Sequence, residues 1–177
     1  NCMQNIPNLF DMCKDEVTKL ERQSWSFYSY DKRQLLETGL LVFADAVCLA
    51  KVLSPNEFCE LTKAILAVCT TSPQFKLKLL DKLTRNKSAF NAALIILGEI
   101  DGCYKEYPAS AKEMTETYLS CAQMGRRIHA EFGEKYFKKA IACTKDLDYE
   151  SYRKLYLYKT LAEKVSNTDN DHAELAY

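Results

Sequence analysis

The chain is poor in residues that interrupt helices: Gly occurs 5 times and Pro 4 times in 177 residues. That scarcity disfavours turn-rich all-β architectures, whose tight connections need both. Histidine is scarcer still, with only His129 and His172. His172 falls in the polar end of the sequence, so a His-centred triad has one candidate member in the folded body. Neither charge is in excess: Lys+Arg and Asp+Glu are both 24. A balanced chain lacks the basic surplus that displaces counterions, so no nucleic-acid partner is expected. The longest apolar run, Ala92 to Leu97, falls far short of the ~20 residues of a membrane span.

Catalytic patterns are missing as well. The glycine loops that cradle phosphates do not occur. His129-Ala130-Glu131 has the His-x-Glu form of zinc deaminases but lacks their Pro-Cys-x-x-Cys half. Asp146-x-Asp148-x-Glu150 and Asp169-x-Asp171 lack the glycine and closing Glu of a calcium loop, and read as helix-capping and tail charges. The chain therefore reads as non-enzymatic, with no catalytic residue, no metal site and no cofactor.

What is present points to helices. The sequence is 47% hydrophobic, enough to bury a core. Apolar residues recur at helical spacing after Pro7 (Leu9, Phe10, Cys13, Val17, Leu20). From Asp31 to Leu53 they cover most of the circumference, which predicts a central, buried helix. Ser54-Pro55-Asn56-Glu57 and Ser110-Ala111-Lys112-Glu113 are capping boxes, and Ser72-Pro73 is a further start signal. Gly133 is expected to stop or kink the helix that begins at Ser110, and a last helix is expected from about Asp148. The fold class is all-α: about eight helices in a disulfide-stapled bundle. Residues 1–165 form a single helical domain, or two packed sub-bundles over 1–85 and 86–165, and 166–177 form a flexible tail.

There are 8 cysteines: Cys2, Cys13, Cys48, Cys59, Cys69, Cys103, Cys121 and Cys143. None falls in a Cys-x-x-Cys pair, so structural zinc is disfavoured and disulfides are expected. Disulfides persist in oxidising compartments, which points to secretion. Asn1 in place of Met fits removal of a signal peptide. Cys59 and Cys69 belong to one helix, about 15 Å apart, beyond the ~7 Å reach of a bridge. Cys48 and Cys59 flank the Ser54-Pro55 turn and are placed to bridge a hairpin. Cys2 with Cys13, and Cys103 with Cys121, are the other pairings that spacing suggests. Asn86-Lys87-Ser88 is a glycosylation sequon in a predicted interhelical turn, so Asn86 is a glycosylation candidate.

Two aromatic clusters are candidates for partner binding. Trp25, Phe27, Tyr28 and Tyr30 alternate mostly with serines, a chemistry common on recognition surfaces. Tyr149, Tyr152 and Tyr156 share one face of the last helix. As structure, the first cluster packs a junction and the second rims an amphipathic face. Cys103, Tyr118 and Cys121 form one Cys-Tyr-Cys set, and Cys13, Tyr28 or Tyr30, and Cys48 another. In this the chain resembles the disulfide-stapled helical proteins that insects secrete in saliva, among them the Cys-Tyr-Cys ("bicycle") family of gall-forming aphids. The resemblance implies an effector delivered into a host, with an unknown host partner and no catalytic residues.

The leading expectation is thus a secreted effector that binds a macromolecular, host or extracellular, protein partner. A carrier of a small apolar ligand, similar to insect odorant-binding proteins, is the alternative. It would require an internal cavity, and the Cys-x-x-x-Cys pair of those proteins is absent. A cytosolic helical scaffold with free thiols is the third reading.

Overall fold

The computed structural model describes residues 15, 30–50, 53–68, 72–148 and 150–156. These residues are mostly helical and contain no strand. Six helices follow in order: α1 (Tyr30–Ala50), α2 (Pro55–Val68), α3 (Pro73–Leu83), α4 (Phe90–Glu106), α5 (Ala111–Ile128) and α6 (Ala130–Cys143). Short 3-10 turns at Lys87–Ala89 and Thr144–Asp146 connect them, and a helical run over 150–156 follows. Among the described residues the count is seven, against about eight expected for the chain; of the helix expected after Pro7 only Asp15 is described, and it is helical.

The starts are set by side chains that satisfy backbone N–H groups with no intrahelical partner. At α2 the capping box closes both ways: Ser54 Oγ accepts from Glu57 N at 3.4 Å, and Glu57 Oε2 accepts from Ser54 N at 2.7 Å. Hydrogen bonding from the Ser54 side chain, and then from its backbone, holds the Glu57 carboxyl below its ordinary range. Ser72 Oγ accepts from Phe75 N ahead of Pro73, and Ser110 Oγ from Glu113 N.

The core is one cluster running from Leu40 to Ala140. Helix α3 lies at its centre, packed against α1, α4 and α5, while α2 packs on α4. Phe75, Leu79, Leu80 and Leu83 of α3 meet Ile96, Leu97 and Ile100 of α4 in the buried layer. This corrects the expectation for α1. Leu40, Ala44, Val47 and Cys48 face the core, but Val42 is 66% and Leu49 78% exposed. One buried face of a helix requires a stripe, and α1 is apolar beyond its stripe.

The break between α5 and α6 is also displaced from the expected glycine. It falls at His129, which is extended (φ −163°, ψ 147°) and caps α6 by accepting from Glu131 N at Nδ1. His129-x-Glu131 is thus a capping arrangement. Gly133 sits inside α6, where a Cβ would lie 2.0 Å from Arg126 Cγ and 3.2 Å from Ala122 O. Gly125, opposite, would bring a Cβ within 3.2 Å of the Phe132 backbone. The two glycines let α5 and α6 approach closely, making theirs the most extensive pairing in the molecule's described part.

Among the described residues no disulfide staple is formed. Cys48, Cys59, Cys103, Cys121 and Cys143 are free thiols, so neither Cys48–Cys59 nor Cys103–Cys121 is bridged. Cys48 and Cys121 are packed as small apolar residues of the core, and the Cys103 sulfur meets Lys76 instead. Burial pushes the Cys48 thiol up to about 11 and the Cys121 thiol to about 12, with the Asp45 and Asp101 carboxylates adding respectively. Such thiols are inert. Cys2, Cys13 and Cys69 lie outside the described residues. No described helix is long and apolar enough to cross a membrane.

Candidate functional site

The 150–156 run begins where Asp148 caps it: Oδ1 accepts from Ser151 N at 2.8 Å and the carbonyl from Tyr152 N at 2.9 Å. The Ser151 hydrogen bond holds the Asp148 carboxyl below its ordinary range. One turn on, Leu155 is buried and anchors the run to the body. Tyr152 and Tyr156, four residues apart, stand on one face and are 51% and 59% exposed. They rim a groove of about 120 Å³ whose other walls are Leu119 of α5, Phe137, Ala140 and Ile141 of α6, and Thr144. Apolar floor and phenolic rim are the composition of an anchor site, where rigid rings supply contact area at low entropy cost.

The walls are held from behind. Tyr118 and Tyr136 each lie one residue from a groove residue, Leu119 and Phe137, and point into the core. Their rings are 6.2 Å apart, and Tyr104 meets Tyr118 edge-on at 5.7 Å. Lys139 Nζ stands 5.1 Å from the Tyr136 centroid and 5.5 Å from that of Tyr118, a double cation–π contact. The same ammonium donates to Asp101 Oδ2, which also accepts from Tyr136 OH at 3.2 Å. Burial, reinforced by Asp101, raises both phenols, Tyr118 to about 12 and Tyr136 further. They are neutral, rigid supports.

A second, larger groove of about 400 Å³ runs between α1 and α3 and reaches α5. Leu41, Val42 and Leu77 give it apolar patches, and the Lys82–Asp45 ion pair at 2.7 Å closes one side. It is an open trough with charged edges. Among the described residues, no three His, Cys, Asp or Glu side chains converge as metal ligands.

Of the aromatic candidates, the structure brings Tyr152 and Tyr156 into one site. Tyr30 opens α1, whereas Trp25, Phe27, Tyr28 and Tyr149 lie outside the described residues. Asn86 is buried: its Oδ1 accepts from Ser88 N, and its Nδ2, the atom a glycan would occupy, donates to the Cys48 carbonyl at 3.0 Å. Reading the sequence missed Leu119, Phe137 and Ile141, which come together only when α5 and α6 pair. No protein-family model, curated protein or solved structure matches the chain.

Proposed function

We propose that the protein is a non-enzymatic interaction module that docks a partner protein by accepting one large apolar side chain between Tyr152 and Tyr156. The observation that carries this reading is the pair of exposed tyrosines above an apolar floor. A groove of about 120 Å³ suits a single anchor residue. A small-ligand carrier needs roughly 300–1,000 Å³ of enclosed space.

The compartment has two forms under this proposal. A secreted effector follows from the resemblance to insect salivary proteins. An intracellular scaffold is supported by the free thiols of the five described cysteines, the state that a reducing compartment maintains. The intact mass of the protein from its natural source, without reductant, separates the two.

The docking test compares wild type with the Tyr152→Ala/Tyr156→Ala double variant in quantitative cross-linked capture from that source. Loss of two aromatic anchors should reduce recovery of a specific partner about tenfold or more. The melting temperature should stay within about 2 °C, since both rings are exposed. Equal recovery by the two proteins would overturn the groove as the docking site.

A further inference from the structure

Lys76 is the one charged residue in the core among the described residues. It lies in phase with Leu79, Leu80 and Leu83 on the buried stripe of α3, so the helix itself carries the lysine inside. Lysines near a surface ordinarily extend their ammonium to water. The Lys76 side chain is only 1% exposed, and its Nζ ends 2.9 Å from Cys103 Sγ on α4. Its nearest carboxylate oxygen, Glu99 Oε2, is 3.5 Å away on a side chain that is half exposed. Sulfur is a weak acceptor, so the contact does little to offset the cost of burying an ammonium. What the contact does provide is proximity: nitrogen and sulfur are held at reacting distance on two packed helices. Cys103 is partly exposed, so a small oxidant reaches the sulfur.

We propose that Lys76 and Cys103 are an oxidative cross-linking pair, joined covalently when the protein meets a peroxide. In the first step, hydrogen peroxide transfers one oxygen to the Cys103 sulfur. The peroxide O–O bond breaks, the thiol becomes a sulfenic acid, and one water is released. The sulfur is oxidised by two electrons and the peroxide is reduced by the same two. In the second step the Lys76 ammonium gives a proton to the Glu99 carboxylate. Its nitrogen lone pair then attacks the sulfenic sulfur. An S–N bond forms and the S–OH bond breaks. The departing hydroxide takes the second nitrogen proton and leaves as water. No further oxidant is consumed. A thiol reductant returns both residues to their starting state.

The bridge would span residues 27 apart and tie α3 to α4. By analogy with other cross-links, closing such a loop should raise the melting temperature by about 5–10 °C.

The test treats the full reduced chain with hydrogen peroxide, digests it without reductant and maps the peptides by mass spectrometry. The expected product joins the Lys76 and Cys103 peptides, two hydrogens lighter than their sum, and disappears on addition of dithiothreitol. The melting temperature should rise and fall in step. Cys103→Ser should yield no joined peptide and no shift. Lys76→Met, an apolar replacement the core tolerates, should leave a sulfenic acid that dimedone traps. Recovery of Cys103 as sulfinic acid with Lys76 unmodified in wild type would overturn the proposal, whatever the folding of the variants.

Discussion

Helix α1 has one charged residue, Asp45, between Gly39 and Ala50, yet two of its large apolar side chains face solvent. Helix α3 has three lysines and an aspartate among eleven residues, yet it occupies the centre of the bundle. The difference lies in phase rather than in amount. On α3 the apolar residues form a stripe at Phe75, Leu79, Leu80 and Leu83, and Lys78, Asp81 and Lys82 fall outside it. The polar residues then serve as ties: Lys82 reaches Asp45 on α1, and Asp81 accepts from Arg127 on α5 at 2.7 Å. A short helix thus fixes neighbours on two sides while its stripe fills the core. Helix α1 uses one side of its apolar surface and leaves the rest uncovered by the described residues.

The strongest way to break this contrast is Leu79→Ala. Leu79 is fully buried at the centre of α3, and truncation should cost about 3 kcal/mol in urea unfolding followed by circular dichroism. A loss below about 1 kcal/mol would show that α3 is not the centre. The ties sharpen the contrast less strongly. Burial pushes the Asp81 carboxyl up, but the Arg127 and Arg85 guanidiniums outweigh it and hold it below its ordinary value near 3.8. A carboxyl lowered on folding stabilises above its unfolded value, and the contribution disappears as pH falls through the folded value. Asp81→Asn should therefore cost about 1 kcal/mol at pH 7, with the gap from wild type closing as acid carries the pH below the ordinary carboxylate range. A gap that persists in acid would assign the effect to packing. The smallest effect belongs to α1: Leu49→Ser should change stability by less than about 0.5 kcal/mol. A loss above about 1 kcal/mol would reveal a segment lying over that face.

Local chemistry made much of the fold legible. Ser54, Ser72 and Ser110 were readable as caps because their partners lie within three residues, and the structure forms each hydrogen bond. Tyr152 and Tyr156 were readable as one face because helical periodicity places them together. What depends on distant residues was hidden. A cysteine count carries no distances, so the expected Cys48–Cys59 and Cys103–Cys121 bridges give way to core thiols and a Lys76–Cys103 contact. Gly133 looked like a helix breaker because its purpose, clearance for Arg126 and Ala122, is tertiary. Leu119, Phe137 and Ile141 give no local sign of sharing a groove. Lys76 did have a local sign: its register with Leu79, Leu80 and Leu83 marks it for burial.

The close seam between α5 and α6 also bears on the order in which the chain folds. Its two helices are joined through a single extended residue, His129, so pairing them costs little chain entropy. Contacts so local form quickly, whereas α3 must be brought against α5 across the whole of α4. The hairpin is the expected early partner in assembly, and the central helix arrives later, on a surface already in place.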